Sequence, residues 1–291
     1  MHTDVEDHVI YQLANAPLRA YPYPHLYVES VFPTGFYGAL RAHWPQSSQL
    51  VSLESTGRVT KGAYRERFVM PLREKEIGSL PPETAAFWRA VAKWMLGSER
   101  LRSAVIEKFE PYVRSRFGDA LEELDLSHEV LVVRDHTNYN LGPHTDSPRR
   151  VVSLLFYCPD DASHSHLGTS LYRPIDPAFR CQGGPHHPHD RFHRVATMEY
   201  KPNALFAFVK TDNSFHGVEP IRDADVLRDL ILYDIQVNGV RRPPGTGPAD
   251  TPRETAARLQ PTPDAAPEAT SGGDRGSLGL RILKNMLRRG R

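Results

Sequence analysis

The chain contains only two cysteines, Cys158 and Cys181, among its 291 residues. They form neither a disulfide framework nor a zinc-site or CxxC spacing, so the sequence predicts a reducing, cytoplasmic environment. No apolar run reaches the roughly 18 residues that a membrane-spanning helix needs. The first residues, MHTDVEDHVI, also lack the basic and apolar regions of a signal peptide. We therefore expect a protein that is neither exported nor embedded in a membrane.

Neither sign of charge is in excess. The sequence carries 36 Lys and Arg against 35 Asp and Glu, a formal net charge of +1. Non-specific binding to nucleic acid depends on clustered cationic charge, so nucleic acid is not an expected partner. With 40% hydrophobic and 24% charged residues, the composition fits one globular domain with tails.

The most informative stretch is 138–157, NYNLGPHTDSPRRVVSLLFY, in which a turn leads into an apolar strand. His144 and Asp146 are two residues apart, so on an extended backbone both side chains project from the same face. One imidazole and one carboxylate placed this way can bind one cation. An Fe(II) site that keeps positions open for substrates uses two His and one carboxylate. His216, in NSFHGVEPI, is the best candidate for the second His.

Further features follow the HxD motif in a fixed order. They are the strand ending at Tyr157, the strand LGTSLY, the distal His216, and Arg228 at the start of the apolar run RDLILYDI. This order resembles the Fe(II)/2-oxoglutarate-dependent dioxygenases, in particular their prolyl-hydroxylase-like branch and bacterial relatives with GPHTD and FHGVEP motifs. The resemblance covers about residues 126–237. It implies a double-stranded β-helix, or jelly roll, mainly β with flanking helices.

The resemblance also implies roles for individual residues. His144, Asp146 and His216 would bind Fe(II) and form the catalytic centre. Arg228 would hold the distal carboxylate of 2-oxoglutarate through a bidentate guanidinium, and Tyr157 would hydrogen-bond the same carboxylate. The implied enzyme is an oxidoreductase that uses O2, releases succinate and CO2, and oxidises an organic substrate. Halogenating relatives carry a small residue at the carboxylate position, so Asp146 favours hydroxylation.

Other interpretations stay open at this stage. His144 and Asp146 could belong to a turn whose Asp accepts backbone N–H groups, and Tyr157 could be a core tyrosine with a satisfied hydroxyl. Arg228 could be a surface residue in an ion pair, in which case Arg222 is the alternative carboxylate ligand. For the whole chain, the alternatives are a cupin-type metal enzyme that does not use 2-oxoglutarate and a non-catalytic jelly-roll interaction protein.

Apolar spacing predicts helices before residue 126. Phe36, Leu40 and Trp44 share one helical face, and the pattern over 82–117 predicts two amphipathic helices, interrupted at Gly97, that pack on the outer face of the main sheet. A KPN turn between 196–200 and 205–209 predicts that these two segments pair as strands. Residues 58–72 have a mixed pattern that we leave unassigned, as a possible loop near the site entrance.

We assign residues 1–240 to one oxygenase domain, with helical support in 1–125 and the jelly-roll core in 126–240. The His-rich loop 180–194 is long enough to have a role, and we expect it to form a lid over the iron. A second metal site in this loop is the less favoured alternative, because its prolines keep the loop extended and spread its four histidines apart. The composition of 241–277 predicts a disordered linker. The pattern of residues 278–291 predicts a basic amphipathic helix that could weakly contact an anionic membrane or a protein. The alternative is a solvated tail, because an isolated helix this short is marginal in water.

Overall fold

A computed structural model describes residues 2–59 and 64–240. The α-helices are α1 His2–Asn15, α2 Thr34–Ala42, α3 Glu74–Ile77, α4 Pro82–Met95, α5 Glu99–Lys108 and α6 Glu110–Phe117. The β-strands are β1 His25–Glu29, β2 Val51–Ser52, β3 Arg67–Pro71, β4 Leu124–His136, β5 Leu141–His144, β6 Arg150–Tyr157, β7 Thr169–Pro174, β8 Phe192–Met198, β9 Ala204–Val209, β10 His216–Val218 and β11 Leu227–Val240.

Within the described residues the strands form two antiparallel sheets. The larger sheet has the order β1-β9-β6-β11-β4-β3-β2, and the smaller has the order β5-β10-β7-β8. From β5 onwards the chain passes repeatedly between the two sheets, which is the arrangement of a double-stranded β-helix. The predicted jelly roll with flanking helices is therefore confirmed.

Alternate side chains of strand β6 enter two apolar layers, one on each face of the larger sheet. Leu154 and Phe156 lie in the apolar layer shared with the helices, where Phe156 stacks on Phe32 with ring centroids 5.2 Å apart. Leu155 and Tyr157 alternate with them and belong to the apolar layer between the two sheets. The N-terminal helices thus cover the outer face of the larger sheet, as predicted.

The segment 82–117 contains three helices, which corrects the prediction of two. The first break falls at the expected place, and Ser98 caps α5 by accepting a hydrogen bond from the Arg100 N–H at 3.1 Å. The second break falls at Phe109. Pro111 has no N–H for a bond to the carbonyl of Glu107, and its ring would clash with that carbonyl in a continuous helix. Pro111 instead lies in the first turn of α6.

The strands β8 and β9 do not pair with each other, so the predicted hairpin is wrong. β8 pairs with β7, whereas β9 pairs with β1 and β6 in the other sheet. The turn between them is hydrogen-bonded to Phe32 in the N-terminal part of the chain. The Asn203 side chain accepts from the Phe32 N–H and donates to the Phe32 carbonyl, both at 2.8 Å. These bonds fix the turn at the point where the chain crosses from the smaller sheet to the larger one.

The remaining predictions concern the C-terminal segments, membrane-spanning helices and the two cysteines. The predicted linker 241–277 and basic tail 278–291 lie outside the described residues. In the part of the chain that is described, no helix has both the length and the apolar composition to cross a bilayer. Cys158 and Cys181 are both free thiols.

Candidate metal centre

Three side chains from two adjacent strands and a turn converge between the sheets. His144 ends β5 and His216 begins β10, and the antiparallel register places these two residues opposite each other. Asp146 follows two residues after His144. One ligand atom from each residue lies within 4.8 Å of the others, and His216 Nε2 is 3.9 Å from Asp146 Oδ1. The structure therefore brings together the three residues predicted to bind iron.

Backbone carbonyls orient both imidazoles. His144 Nδ1 lies 3.0 Å from the Gly142 carbonyl oxygen, and His216 Nδ1 lies 3.0 Å from the Ser214 carbonyl oxygen. Only a protonated Nδ1 can donate to a carbonyl, so in the neutral ring each Nε2 keeps its lone pair. Burial lowers the pKa of both histidines, and the adjacent His216 ring lowers that of His144 further. Both rings are thus held neutral, which is the form in which an imidazole can bind a metal.

The carboxylate of Asp146 is held in its ionised form. Its Oδ2 accepts a hydrogen bond from the Ser153 hydroxyl at 3.0 Å, and its Oδ1 lies 3.8 Å from Arg150 Nε. Burial alone would raise the pKa of Asp146, but Arg150 and the two imidazoles outweigh it and lower the pKa below its ordinary value. Arg150 in turn donates to the buried Asp234. Neither Ser153 nor Arg150 was assigned to the site from the sequence.

The triad lies on the wall of a cavity of about 190 Å³. The cavity crosses the space between the sheets and reaches Arg228 and Thr169. Its apolar wall comes from both sheets and from the segment before β3. The apolar lining residues are Leu53, Val59, Val69, Leu131, Val133, Leu141, Leu155, Phe208, Val218 and Leu232. Residues 58, 59, 64, 67 and 69 of the unassigned stretch 58–72 also line it.

Arg228 is completely buried in the cavity wall and is not a surface residue. Its Nη1 donates to Asp135 Oδ2 at 2.7 Å and its Nε to the Leu167 carbonyl at 2.6 Å. Arg67 also donates to Asp135, from Nε to Oδ1 at 2.6 Å and from Nη2 to Oδ2 at 2.9 Å. Two guanidiniums therefore share one carboxylate, which leaves a formal surplus of one positive charge in the cavity wall.

Thr169 presents a hydroxyl beside that positive charge. It accepts from the Tyr157 hydroxyl at 2.8 Å and from Arg228 Nη2 at 3.4 Å. Because both lone pairs are used in this way, the hydroxyl hydrogen of Thr169 is available to an acceptor in the cavity. Thr169 N–H donates to the Tyr157 oxygen at 3.1 Å.

Tyr157 lies behind Thr169 and does not line the cavity. Its hydroxyl both donates to and accepts from Thr169, and burial raises its pKa, so it stays protonated. The predicted contact between Tyr157 and the co-substrate stays a prediction, and in this structure the phenol is separated from the cavity by Thr169. Tyr157 supports the Thr169 hydroxyl.

Arg222, the alternative arginine, is exposed and is not among the residues that line the cavity.

The His-rich loop packs against the strand that carries His144. The ring centroids of His186 and His144 are 4.9 Å apart, and His186 Nε2 lies 2.9 Å from the Tyr64 hydroxyl. His187 N–H donates to the Pro143 carbonyl at 2.8 Å. Within the described ranges, the loop's histidines form no group of three that could hold a metal. The lid role stays a prediction.

Arg67 and Asp135 are site residues that the sequence interpretation missed. Arg134 and Asp135 directly follow the apolar strand segment EVLVV. The two side chains lie on opposite faces of the sheet. Arg134 donates to Asp229 through two bonds of 2.7 and 2.9 Å. A charged residue in an apolar strand is the signal that could have identified Asp135, but its two arginine partners are distant in sequence.

The fold and the convergent side chains define a jelly roll with a candidate two-His, one-carboxylate metal centre. No protein-family model and no curated protein matches the chain. Solved structures with a similar fold include a prolyl-4-hydroxylase from Pseudomonas putida, at 16% identity and a TM-score of 0.41, covering 84% of this chain and 100% of that one.

Two further solved structures also have a similar fold. One is the non-heme alpha-ketoglutarate-dependent epimerase SnoN from nogalamycin biosynthesis, with 14% identity, a TM-score of 0.44, and coverage of 84% of this chain and 90% of that chain. The other is HygX from Streptomyces hygroscopicus, solved with nickel, 2-oxoglutarate and hygromycin B, with 12% identity, a TM-score of 0.39, and coverage of 79% and 94%. Identity and TM-score are low in each case, so the function is inferred below from the site residues.

Proposed function

We propose that the protein is an Fe(II)- and 2-oxoglutarate-dependent dioxygenase that hydroxylates an organic substrate. One observation carries the proposal: a single cavity is lined by two neutral imidazoles, an ionised carboxylate and a buried surplus of positive charge. The first three groups suit a metal, and the last suits an anion. A metal-chelating dicarboxylate satisfies both requirements at once.

The donor set fits Fe(II). His144, Asp146 and His216 supply two nitrogens and one oxygen, the facial set of non-haem iron oxygenases, which leaves coordination positions open. When bound, Fe(II) would supply the activation of O2 that couples decarboxylation of 2-oxoglutarate, giving succinate and CO2, to substrate hydroxylation. Ser153 and Arg150 would keep the Asp146 carboxylate oriented and ionised.

The inner part of the cavity fits the distal carboxylate of 2-oxoglutarate. A buried charge needs a partner, and the cluster of Arg67, Asp135 and Arg228 has one positive charge more than it can neutralise internally. Unused N–H donors of Arg228 and the free hydroxyl hydrogen of Thr169 would bind the two carboxylate oxygens. Asp135 would position Arg228 by accepting a hydrogen bond from its Nη1 at 2.7 Å.

The apolar wall would exclude water from the bound co-substrate. Side chains such as Val133, Leu155 and Val218 line the same cavity as the triad and offer no hydrogen bonds to water. A dry cavity strengthens the ion pair of the carboxylate with Arg228. O2 and an organic substrate would be the partners of the reaction, in the cytoplasm.

The alternatives make different predictions about the cavity. A cupin-type enzyme that does not use 2-oxoglutarate would need the metal ligands but not the surplus charge beside Arg228. A non-catalytic jelly roll would need neither. The combination of the triad with a buried, unneutralised guanidinium therefore favours the 2-oxoglutarate enzyme.

The test is Fe(II)-dependent succinate formation, together with calorimetric binding of 2-oxoglutarate to the Fe(II)-loaded protein without oxygen. We expect His144→Ala, Asp146→Ala and His216→Ala each to abolish succinate formation, because the three ligands act as one unit. His193→Ala, which replaces an exposed histidine of β8, is the matched control and should retain succinate formation measured without substrate. Full turnover by any triad variant would remove that residue from the site. A protein that binds Fe(II) but not 2-oxoglutarate would favour the cupin alternative.

A further inference from the structure

A second set of donor side chains converges on the surface, away from the residues of the iron triad. His164 and His166 come from the segment between β6 and β7, and Asp223 comes from the segment between β10 and β11. Their ligand atoms all lie within 4.8 Å of one another. Asp223 Oδ2 is 2.8 Å from His166 Nε2 and 3.5 Å from His164 Nδ1.

These separations match those between donors on one metal ion. With Zn–N and Zn–O distances of about 2.0–2.2 Å in a tetrahedral site, neighbouring donor atoms lie roughly 3.3 Å apart. The two distances from Asp223 lie on either side of that value, and the two histidine donor atoms lie within 4.8 Å of each other. Two imidazoles and one carboxylate suit Zn²⁺ and similar borderline divalent ions better than Mg²⁺ or Ca²⁺, which favour all-oxygen sites.

The charges around Asp223 also favour the binding of a cation. Among residues 2–59 and 64–240, no Lys or Arg forms an ion pair with Asp223; its ion-pair partners are the two histidines. All three side chains are partly exposed, with 43%, 60% and 41% of the side-chain surfaces of His164, His166 and Asp223 accessible. A cation could therefore enter and keep water in its remaining coordination position.

Both halves of the cluster are anchored to the fold. Thr137 Oγ1 donates to the Asp223 carbonyl at 2.8 Å, and Leu167 N–H donates to the His164 carbonyl at 2.9 Å. Leu167, directly after His166, also provides the carbonyl that accepts from Arg228 Nε. An ion bound here would thus connect the segment that supports Arg228 to the segment that precedes β11.

We propose that His164, His166 and Asp223 form a second metal site, specific for a divalent ion of the Zn²⁺ type. The site links the β6–β7 and β10–β11 segments and restrains the backbone carbonyl that holds Arg228. This proposal does not depend on the dioxygenase activity, because it involves a separate set of ligands and is tested with zinc chloride alone.

The test counts zinc bound to the full chain after equilibrium dialysis, by elemental analysis. The double variant His164→Gln/His166→Gln should bind one equivalent less than the unmodified protein. The same difference should be found in a His144→Ala/His216→Ala background, where the iron triad is disabled. The matched control His189→Gln/His193→Gln removes two imidazoles from the His-rich loop and its adjoining strand and should leave the count unchanged.

Equal zinc counts for the unmodified protein and the His164→Gln/His166→Gln variant would overturn the proposal. So would an equal loss in the His189→Gln/His193→Gln control, because zinc would then be distributed over surface histidines. Circular dichroism checks that each variant is folded. If the double variant is not, Asp223→Asn provides the same comparison with a change at one position.

Discussion

Replacing Arg228 with Ala tests whether the buried surplus of positive charge binds the co-substrate. The change removes the bonds to Asp135, Leu167 and Thr169. Asp135 keeps its two bonds to Arg67, at 2.6 and 2.9 Å, so it is not left as an unpaired buried charge. The surplus charge of the cluster falls to zero, and we expect the fold to survive.

The expected loss of affinity follows from the burial of the site. Truncating one partner of a buried, hydrogen-bonded charge pair costs about 2–5 kcal/mol. At about 1.4 kcal/mol per factor of ten, 2-oxoglutarate should bind about 30-fold to about 4,000-fold more weakly. The Thr169 hydroxyl stays in place and continues to bind one carboxylate oxygen, so we expect the lower part of this range.

The assay is calorimetric titration of 2-oxoglutarate into the Fe(II)-loaded protein in the absence of oxygen, followed by succinate formation at increasing 2-oxoglutarate. Fe(II) binding itself should be retained, because no triad residue is changed. Arg228→Lys should recover only part of the affinity, since an ammonium cannot form the two parallel bonds of a guanidinium. Arg222→Ala, at an exposed position, is the matched control and should behave as the unmodified protein.

Two results would refute this reasoning. If Arg228→Ala binds 2-oxoglutarate as tightly as the unmodified protein, the surplus charge does not hold the co-substrate. If the loss appears in Arg222→Ala instead, the carboxylate lies elsewhere and the cluster around Asp135 has a structural role.

Three other substitutions test the surroundings of the site. Asp135→Asn leaves two buried guanidiniums without their shared carboxylate and should cost about 3–5 kcal/mol of stability, a fall in Tm of roughly 6–20 °C; a Tm equal to that of the unmodified protein would show that the pairing contributes nothing. Ser153→Ala removes the 3.0 Å bond to Asp146 and should weaken Fe(II) binding about tenfold, measured by competition with a coloured chelator; unchanged binding would mean that Arg150 alone holds the carboxylate. Replacing the histidines of the loop 180–194 with Gln should lower coupled turnover of the substrate while 2-oxoglutarate decay without substrate stays near normal, because a lid acts on substrate capture; parallel loss of both rates would place these histidines in the catalytic centre.

Local patterns were sufficient to predict β6, one of the strands that line the cavity, but not the short strands β5 and β10 that carry the two histidines. The period of two in RVVSLLFY is set by the geometry of an extended chain, and β6 spans Arg150–Tyr157 as the pattern predicts. The motif containing His144 and Asp146 required only that one short segment be extended. Joining it to His216 depended on the resemblance to a known family, since sequence spacing alone does not show which distant residues meet.

The pairing of distant charges could be decided only by the tertiary structure. Arg67, Asp135 and Arg228 lie on neighbouring strands of the larger sheet, where Asp135 is in register with both arginines, yet they are far apart in sequence. The separation of β8 from β9 has a similar origin, because the Asn203 side chain bonds to a residue outside the turn.

The sequence by itself determined the pairing of His144 with Asp146 and the apolar pattern of β6, because both follow from residues that are close in the chain. The fold class and the third candidate ligand, His216, were predicted from the match of its motifs to a known family. The tertiary structure decided which groups surround them: Thr169 and not Tyr157 lines the cavity, and Asp135 joins two arginines. Such contacts depend on strand register and on which face of each strand is turned inward, and these are properties of the assembled sheets.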